Sequence, residues 1–269
     1  MPLRLSYRNP AGVPIELDGL LPSALCGRSL GEIERWPLWL GNRQVPLADL
    51  FSVSGQADAG LVLEGDLAGV DGIGRGLERG WVQVCGPAGR HLGASMTGGE
   101  IRAEGAVGDW AGAEMRGGLI TAAAAGDYLG GAYYGSPRGM SGGTILVDGD
   151  AGDQPARTMR RGLICVGGSV GAFAALDMVA GSLVVLGSCG RAAAAGMRRG
   201  TLAVFGQAAE LLPSFERGSV CQLQFIRLYL AQLRKLGASV SDELLEARYQ
   251  MYHGDWLAGG RGEVLIRES

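Results

Sequence analysis

The sequence predicts a mainly β protein: a right-handed, single-stranded parallel β-solenoid of about seven 19-residue coils, with a small N-terminal unit and C-terminal helices. The first observation is a Met or Leu followed three residues later by glycine, at Leu77, Met96, Met115, Met140, Met159, Met178 and Met197. Successive anchors lie 19, 19, 25, 19, 19 and 19 residues apart, so one 6-residue insertion interrupts a strict period. The second is that positions five and seven after each anchor are apolar, from Val82 and Val84 to Leu202 and Val204. Such period-2 alternation between glycines is the pattern of a short, half-buried strand. The third is constant phase. Hairpins closing a barrel would alternate the inward phase from strand to strand, whereas stacked coils keep it fixed, with equivalent residues about 4.8 Å apart.

Residues 1–56 read as the N-terminal unit, with Trp36, Trp39 and short apolar runs between proline and glycine punctuation. Residues 57–215 hold the repeats. A glycine closes most strands (Gly86, Gly105, Gly149, Gly168, Gly187, Gly206), where a turn needs freedom of φ. Gly72-Ile73-Gly74-Arg75-Gly76 precedes a strand instead of a long helix, so it reads as a turn and not as a dinucleotide fingerprint. Outward residues change from Glu100, Arg102 and Glu104 in the second coil to Ser182, Val184, Leu186, Thr201, Ala203 and Phe205 in the last two. That later apolar face must be covered. Residues 216–269 offer a cover, because Gln222 to Leu236 reads as an amphipathic helix with Phe225, Leu228, Tyr229 and Leu233 near one face. Asp242 to Tyr252 reads as a second helix capped by Ser241, and Gly259 to Ile266 turns into a final strand.

Composition narrows the function. The chain has 269 residues, 48 glycines, 47% hydrophobic residues and a net charge of −3, which suits a folded domain with no general attraction to nucleic acid or acidic membranes. No run approaches 18 apolar residues, and Met1-Pro2-Leu3-Arg4 does not begin a signal peptide, so a cytoplasmic protein without a membrane partner is expected. Cys26, Cys85, Cys165, Cys189 and Cys221 are scattered without a CxxC and read as free thiols; no metal ligand is assigned. With only His91 and His253, read as an exposed turn residue and a capping or interface residue, no catalytic residue is assigned either.

Two surfaces stand out. Arg116, Arg160, Arg161, Arg198 and Arg199 occupy the two positions after an anchor, so the third, fifth and seventh coils place arginines at one corner about 10 Å apart. Water and neighbouring carboxylates could satisfy them, or they could form salt bridges to another protein of an assembly. The insertion Tyr133-Tyr134-Gly135-Ser136-Pro137-Arg138 has the composition of an interface anchor in Tyr133, Tyr134 and Arg138, or of a self-packed loop.

The repeats MRGGLI (115–120), MSGGTI (140–145), MRRGLI (159–164) and MRRGTL (197–202) resemble the GXGXG solenoid of the C-type subunit of formylmethanofuran dehydrogenase and of the glutamate synthase large chain. Val13-Pro14-Ile15-Glu16-Leu17, Trp39-Leu40-Gly41-Asn42-Arg43 and Gly259-Gly260-Arg261-Gly262-Glu263 resemble the flanks of the former, so the similarity spans nearly the whole chain. The resemblance implies a hetero-oligomer with A-, B- and D-type subunits. It is nearest to the bacterial formyltransferase/hydrolase complex, which takes formyl from tetrahydromethanopterin through a methanofuran analogue to formate in one-carbon metabolism. Catalysis would belong to other subunits, leaving this one a structural or docking role. The alternatives are the C-type subunit of a tungsten or molybdenum formylmethanofuran dehydrogenase, and a glutamate-synthase-like binding module. No cofactor is expected on this chain alone, the complex handling the methanofuran analogue. The resemblance adds a third reading of Arg116, Arg160, Arg161, Arg198 and Arg199: an anion track for the polyglutamate tail of such carriers.

Overall fold

In the computed structural model, which describes residues 1–8 and 13–268, the repeat becomes a ladder of strands. Thirteen strands share one sheet: β1 (Pro2–Tyr7), β2 (Phe51–Ser54), β3 (Gln56–Glu64), β4 (Trp81–Cys85), β5 (Glu100–Ala103), β6 (Leu119–Ala122), β7 (Ser141–Val147), β8 (Arg161–Val166), β9 (Ser182–Val185), β10 (Arg199–Val204), β11 (Glu216–Cys221), β12 (Tyr249–Gly254) and β13 (Arg261–Arg267). Their order across the sheet is β11-β12-β13-β10-β9-β8-β7-β6-β5-β4-β3-β1-β2. From β3 to β10 and on to β13 every neighbour is parallel, with Leu61, Val82, Ile101, Ile120, Ile145, Ile164, Leu183, Leu202 and Val264 in one register.

The inward residues behave as their phase requires. Val82, Ile101, Ile120, Ile145, Ile164, Leu183 and Leu202 are buried, as are their partners two residues on and all seven anchors. Each buried Val, Leu, Ile or Met among them contributes about 1.5–3 kcal/mol by leaving water; Ala103 and Ala122 contribute less. A second ladder of isolated parallel bridges joins Leu67, Ala88, Val107, Ala125, Ala151, Val170, Cys189 and Ala208 on another side of the coils. The architecture is mainly β and solenoid-like.

The ladder does not stop at the repeats. β1 pairs parallel to β3, and antiparallel β2 closes that margin. At the other end β13 adds a parallel strand to β10, followed by antiparallel β12 and β11. Short strands Ile15–Glu16, Pro37–Leu40 and Arg43–Pro46 make a small sheet with Val70–Asp71 from the first coil. Helices α1 (Pro22–Leu25) and α2 (Leu30–Glu34) lie in the same region, α2 starting at a Ser29/Glu32 capping box. One apolar core therefore runs from Leu3 and Ile33 through the coils to Val264, across positions 56 and 215.

The tail departs from its sequence pattern in two ways. Helix α3 (Gln224–Lys235) covers the outer face of the later coils, but through Ile226, Leu230 and Leu233, packed with Leu146, Cys165, Val184 and Ala203. Phe225, Leu228 and Tyr229 point away, Leu228 with 73% of its surface exposed. Both sets fit helical spacing, and the shape of the groove above the coils selects the i, i+4, i+7 triad. Second, Asp242 to Tyr252 is not one helix. α4 (Asp242–Leu245) is a single turn, Ser241 makes no side-chain cap, and β12 follows. β12 hydrogen-bonds on both sides, and Tyr249 is buried edge-on to Phe205 at 5.5 Å; local helix propensity cannot compete with that. No helix among the described residues is long and apolar enough to cross a membrane.

Candidate functional site

The arginine corner is built by backbone geometry. At each coil the amide after the anchor donates to the preceding anchor's carbonyl: Arg116 to Met96 at 2.7 Å, Ser141 to Met115 at 2.7 Å, Arg160 to Met140 at 2.8 Å, Val179 to Met159 at 2.8 Å and Arg198 to Met178 at 2.8 Å. Arg116, Arg160 and Arg198 thus stand on one edge with Ser141 and Val179 between them, and Arg161 and Arg199 open the adjoining strands. Ion pairs among the described residues use Arg4, Arg75, Arg90, Arg102, Arg227 and Arg234, none of which lies on this edge. The buried Arg160 Nε has no hydrogen-bond partner among the described residues. Each guanidinium presents a planar fork of donors.

The register adds a residue that the Met-anchored pattern does not include. Arg199 is opposite Arg261 on β13, and Arg198, Arg199 and Arg261 line a 370 Å³ groove with Val179, Ala258 and Gly259. The signal is present in the sequence: Arg261-Gly262-Glu263-Val264 copies Arg199-Gly200-Thr201-Leu202 without a Met anchor. Trp256 and Leu257 precede the groove and are 55% and 90% exposed.

The insertion folds back on the chain. Tyr133 lies against His91 and Trp110, with ring centroids 5.4 and 6.2 Å away. Its hydroxyl oxygen accepts from Arg75 at 3.3 Å and stands 3.1 Å from His91 Nδ1. Arg75 can only donate, so the hydroxyl proton is free for Nδ1, the arrangement of a neutral imidazole. Burial, then the charge of Arg75, lowers the His91 pKa. His91 is therefore half-buried in a cluster, not an exposed turn residue, and the reason is a column the anchors conceal. His91, Trp110 and Tyr128 occupy equivalent positive-φ positions on successive coils, stacked at 5.6 and 4.6 Å. Their amides are held by the next coil, His91 to the Asp109 carbonyl at 2.9 Å and Trp110 to the Asp127 carbonyl at 2.9 Å, which fixes an otherwise costly conformation.

Tyr134 remains 65% exposed, with Arg157 over its ring at 5.0 Å and its hydroxyl 2.6 Å from that of Tyr128. That hydrogen bond, with burial, raises the Tyr128 pKa to about 12. Arg138 is exposed and forms no ion pair among the described residues. The structure thus turns Tyr133 inward and leaves Tyr134 and Arg138 outward.

Carboxylates on neighbouring turns are engaged in stitching coils. Asp109 accepts from the Asp127 amide at 2.9 Å, Asp127 from Asp153 at 2.7 Å, and Asp153 from Ala172 at 2.7 Å. Among the described residues no group of three or more His, Cys, Asp or Glu could hold a metal ion. His253 sits on β12 opposite Glu216 and Glu263. Gly72, Gly74 and Gly76 form a left-handed turn that puts Arg75 against Asp18 at 2.7 Å.

No family model matches the chain. It is 34% identical over 95 residues to the C-type subunit of the tungsten-containing formylmethanofuran dehydrogenase 2 of Methanothermobacter thermautotrophicus, covering 34% of this chain and 35% of that protein. It is 35% identical over 85 residues to the C-type subunit of the molybdenum-containing formylmethanofuran dehydrogenase 1 of Methanosarcina barkeri, covering 30% of this chain and 28% of that protein. The aligned segment thus spans about a third of the length of the curated relatives it matches. The fold superimposes with a TM-score of 0.93 on a chain of the formyltransferase/hydrolase complex (FhcABCD) from Methylorubrum extorquens, a crystal structure in complex with methylofuran. That likeness is at 36% identity and covers 99% of this chain and 100% of the other. With its repeats, both flanks and the full extent of the fold shared in this way, the chain belongs to the family formed by the C-type subunits of formylmethanofuran dehydrogenases.

Proposed function

We propose that the chain is a non-catalytic scaffold and docking component of a formyltransferase/hydrolase complex that converts formyl-tetrahydromethanopterin, through a formyl-methanofuran analogue, to formate. The observation that carries this reading is the end-to-end likeness to a chain of such a complex at 36% identity. The architecture suits it. We read the body as seven right-handed, single-stranded coils of about 19 residues; residues 1–56 and 216–269 finish its two ends, and the outer edges are left for A-, B- and D-type partners in the cytoplasm. A ladder locked by main-chain hydrogen bonds in every coil is stiff, and stiffness is what holding catalytic subunits at fixed separation requires.

The carrier is handled by the whole complex. The guanidiniums of Arg116, Arg160, Arg161, Arg198 and Arg199 suit bidentate capture of carboxylates; Arg116, Arg160 and Arg161 are the residues of this chain that would guide an acidic carrier tail, with Arg198 and Arg199 ending the same edge. Tyr134 and Arg138, outward on the insertion, with Tyr133 fixing the loop beneath them, are proposed as a partner contact.

The curated relatives support a second reading, the C-type subunit of a tungsten or molybdenum formylmethanofuran dehydrogenase. Affinity isolation of the full chain from its host, with the accompanying chains identified and metals measured, tests both. A formyltransferase chain without tungsten, molybdenum or iron–sulfur clusters is the expected result. Tungsten or molybdenum with iron–sulfur clusters would establish the second reading, and a chain isolated alone would refute both.

A further inference from the structure

At the end of the arginine edge the groove of Arg198, Arg199 and Arg261 runs beside an apolar knuckle, Trp256 and Leu257. Large side chains at 55% and 90% exposure on a loose tip would mean little. These are held. Asp255, itself buried, accepts from the Leu257 amide at 2.9 Å and from the Gly196 amide at 3.1 Å, while its own amide donates to the Met197 carbonyl at 3.2 Å. The Trp256 ring lies over Gly260, where a Cβ would collide with it. The knuckle is therefore clamped to the seventh anchor and to the turn that carries Arg261.

We propose that this corner is the docking site of an acidic segment of another protein in the complex, one that sets carboxylates on Arg198, Arg199 and Arg261 and offers an apolar socket to Trp256 and Leu257. The inference rests on the scaffold reading above and names the chemistry of one partner. Charge complementarity carries it: three arginines line one groove, no carboxylate lines it, and none of the three is ion-paired among the described residues. A free polycarboxylate would satisfy the arginines but has no use for the knuckle. A protein surface uses both, and Trp and Arg, held rigid and desolvated together, are the residues that dominate such interfaces.

The test uses the full chain isolated with its companion proteins. Leu257→Ser removes a side chain that touches almost nothing within the chain, so folding is preserved; Trp256→Ala and Arg198→Glu/Arg261→Glu complete the set. Leu257→Ser and the double reversal are each expected to weaken retention of the same identified companion, the reversal by at least about 30-fold, as loss of an interface hot spot does. Wild-type retention should fall with salt. Three results would overturn the proposal. Full retention by every variant removes the site. Loss only on charge reversal, with Leu257→Ser and Trp256→Ala unaffected, removes the knuckle from the contact and with it the joint site proposed. Loss of different companions by the two kinds of variant separates knuckle from groove. A wild-type chain that brings down no companion would instead refute the scaffold reading on which the inference stands.

Discussion

Replacing Gly187 by alanine isolates the coil spacing from other features of the repeat. Gly187 opens the turn after β9, outside the left-handed range of φ, and its amide donates to the Gly168 carbonyl of the preceding coil at 2.9 Å. A Cβ there would lie 2.5 Å from both the carbonyl carbon and oxygen of Gly168, where ordinary contact begins at 3.4 Å. The two coils would have to part by about 0.9 Å, against parallel ladders on two sides of the same coil. Overpacking of this kind costs about 1–3 kcal/mol, or about 2–6 °C in melting temperature for a chain of this size. Gly76→Ala is the control for backbone strain. Its φ is +73°, nothing lies within 4 Å of its Cβ, and Ser95, Glu114, Thr158 and Asp177 hold the same conformation at the equivalent position. Its cost should be about 1 kcal/mol. Gly162→Ala combines both effects, with φ +107° and a Cβ 2.7 Å from Met140 Cε and 2.8 Å from the Gly143 carbonyl. It should cost about 2–5 kcal/mol. Thermal melting followed by circular dichroism gives the ranking. A Gly187→Ala protein melting with wild type, and Gly162→Ala no worse than Gly76→Ala, would refute the claim that close coil contact is what selects these glycines.

The two faces of α3 make a second prediction: Leu230→Ala should cost about 2–5 kcal/mol because it empties a fully buried site, while Leu228→Ala should stay within about 0.5 kcal/mol, both read from denaturant midpoints. His91 makes a third. Its folded pKa lies below its unfolded value near 6.5, so the unfolded chain takes up the proton first as pH falls. Its contribution is complete above about pH 6.5 and is lost as pH falls toward the lowered folded value. Hydrogen exchange should show the insertion at Tyr133 and Tyr134 loosening over that range in wild type, and the pH dependence should vanish in His91→Gln.

The repeat made the ladder legible, because a 19-residue period and a period-2 aliphatic pair constrain geometry without any distant information. It also located the arginine edge, since residues at a fixed distance from the anchors must share one side of a stacked coil. Other features carry a weaker mark in the sequence. Arg261 was concealed by the absence of a Met anchor, although its Arg-Gly-x-aliphatic signature matches β10. The His91–Trp110–Tyr128 column was concealed because its residues share no chemical type, only their position.

By itself the chain determined the strand register, the inward columns and the family, all of which rest on local spacing repeated many times. Only the tertiary structure decided which face of α3 is buried, that Tyr249–Gly254 is strand and not helix, and that Tyr133 turns inward while Tyr134 turns out. Each of those outcomes is a choice between locally equivalent options, settled by a neighbour distant in the chain: the groove over Leu146 and Val184, the open edge of β13, and the half-buried ring of His91.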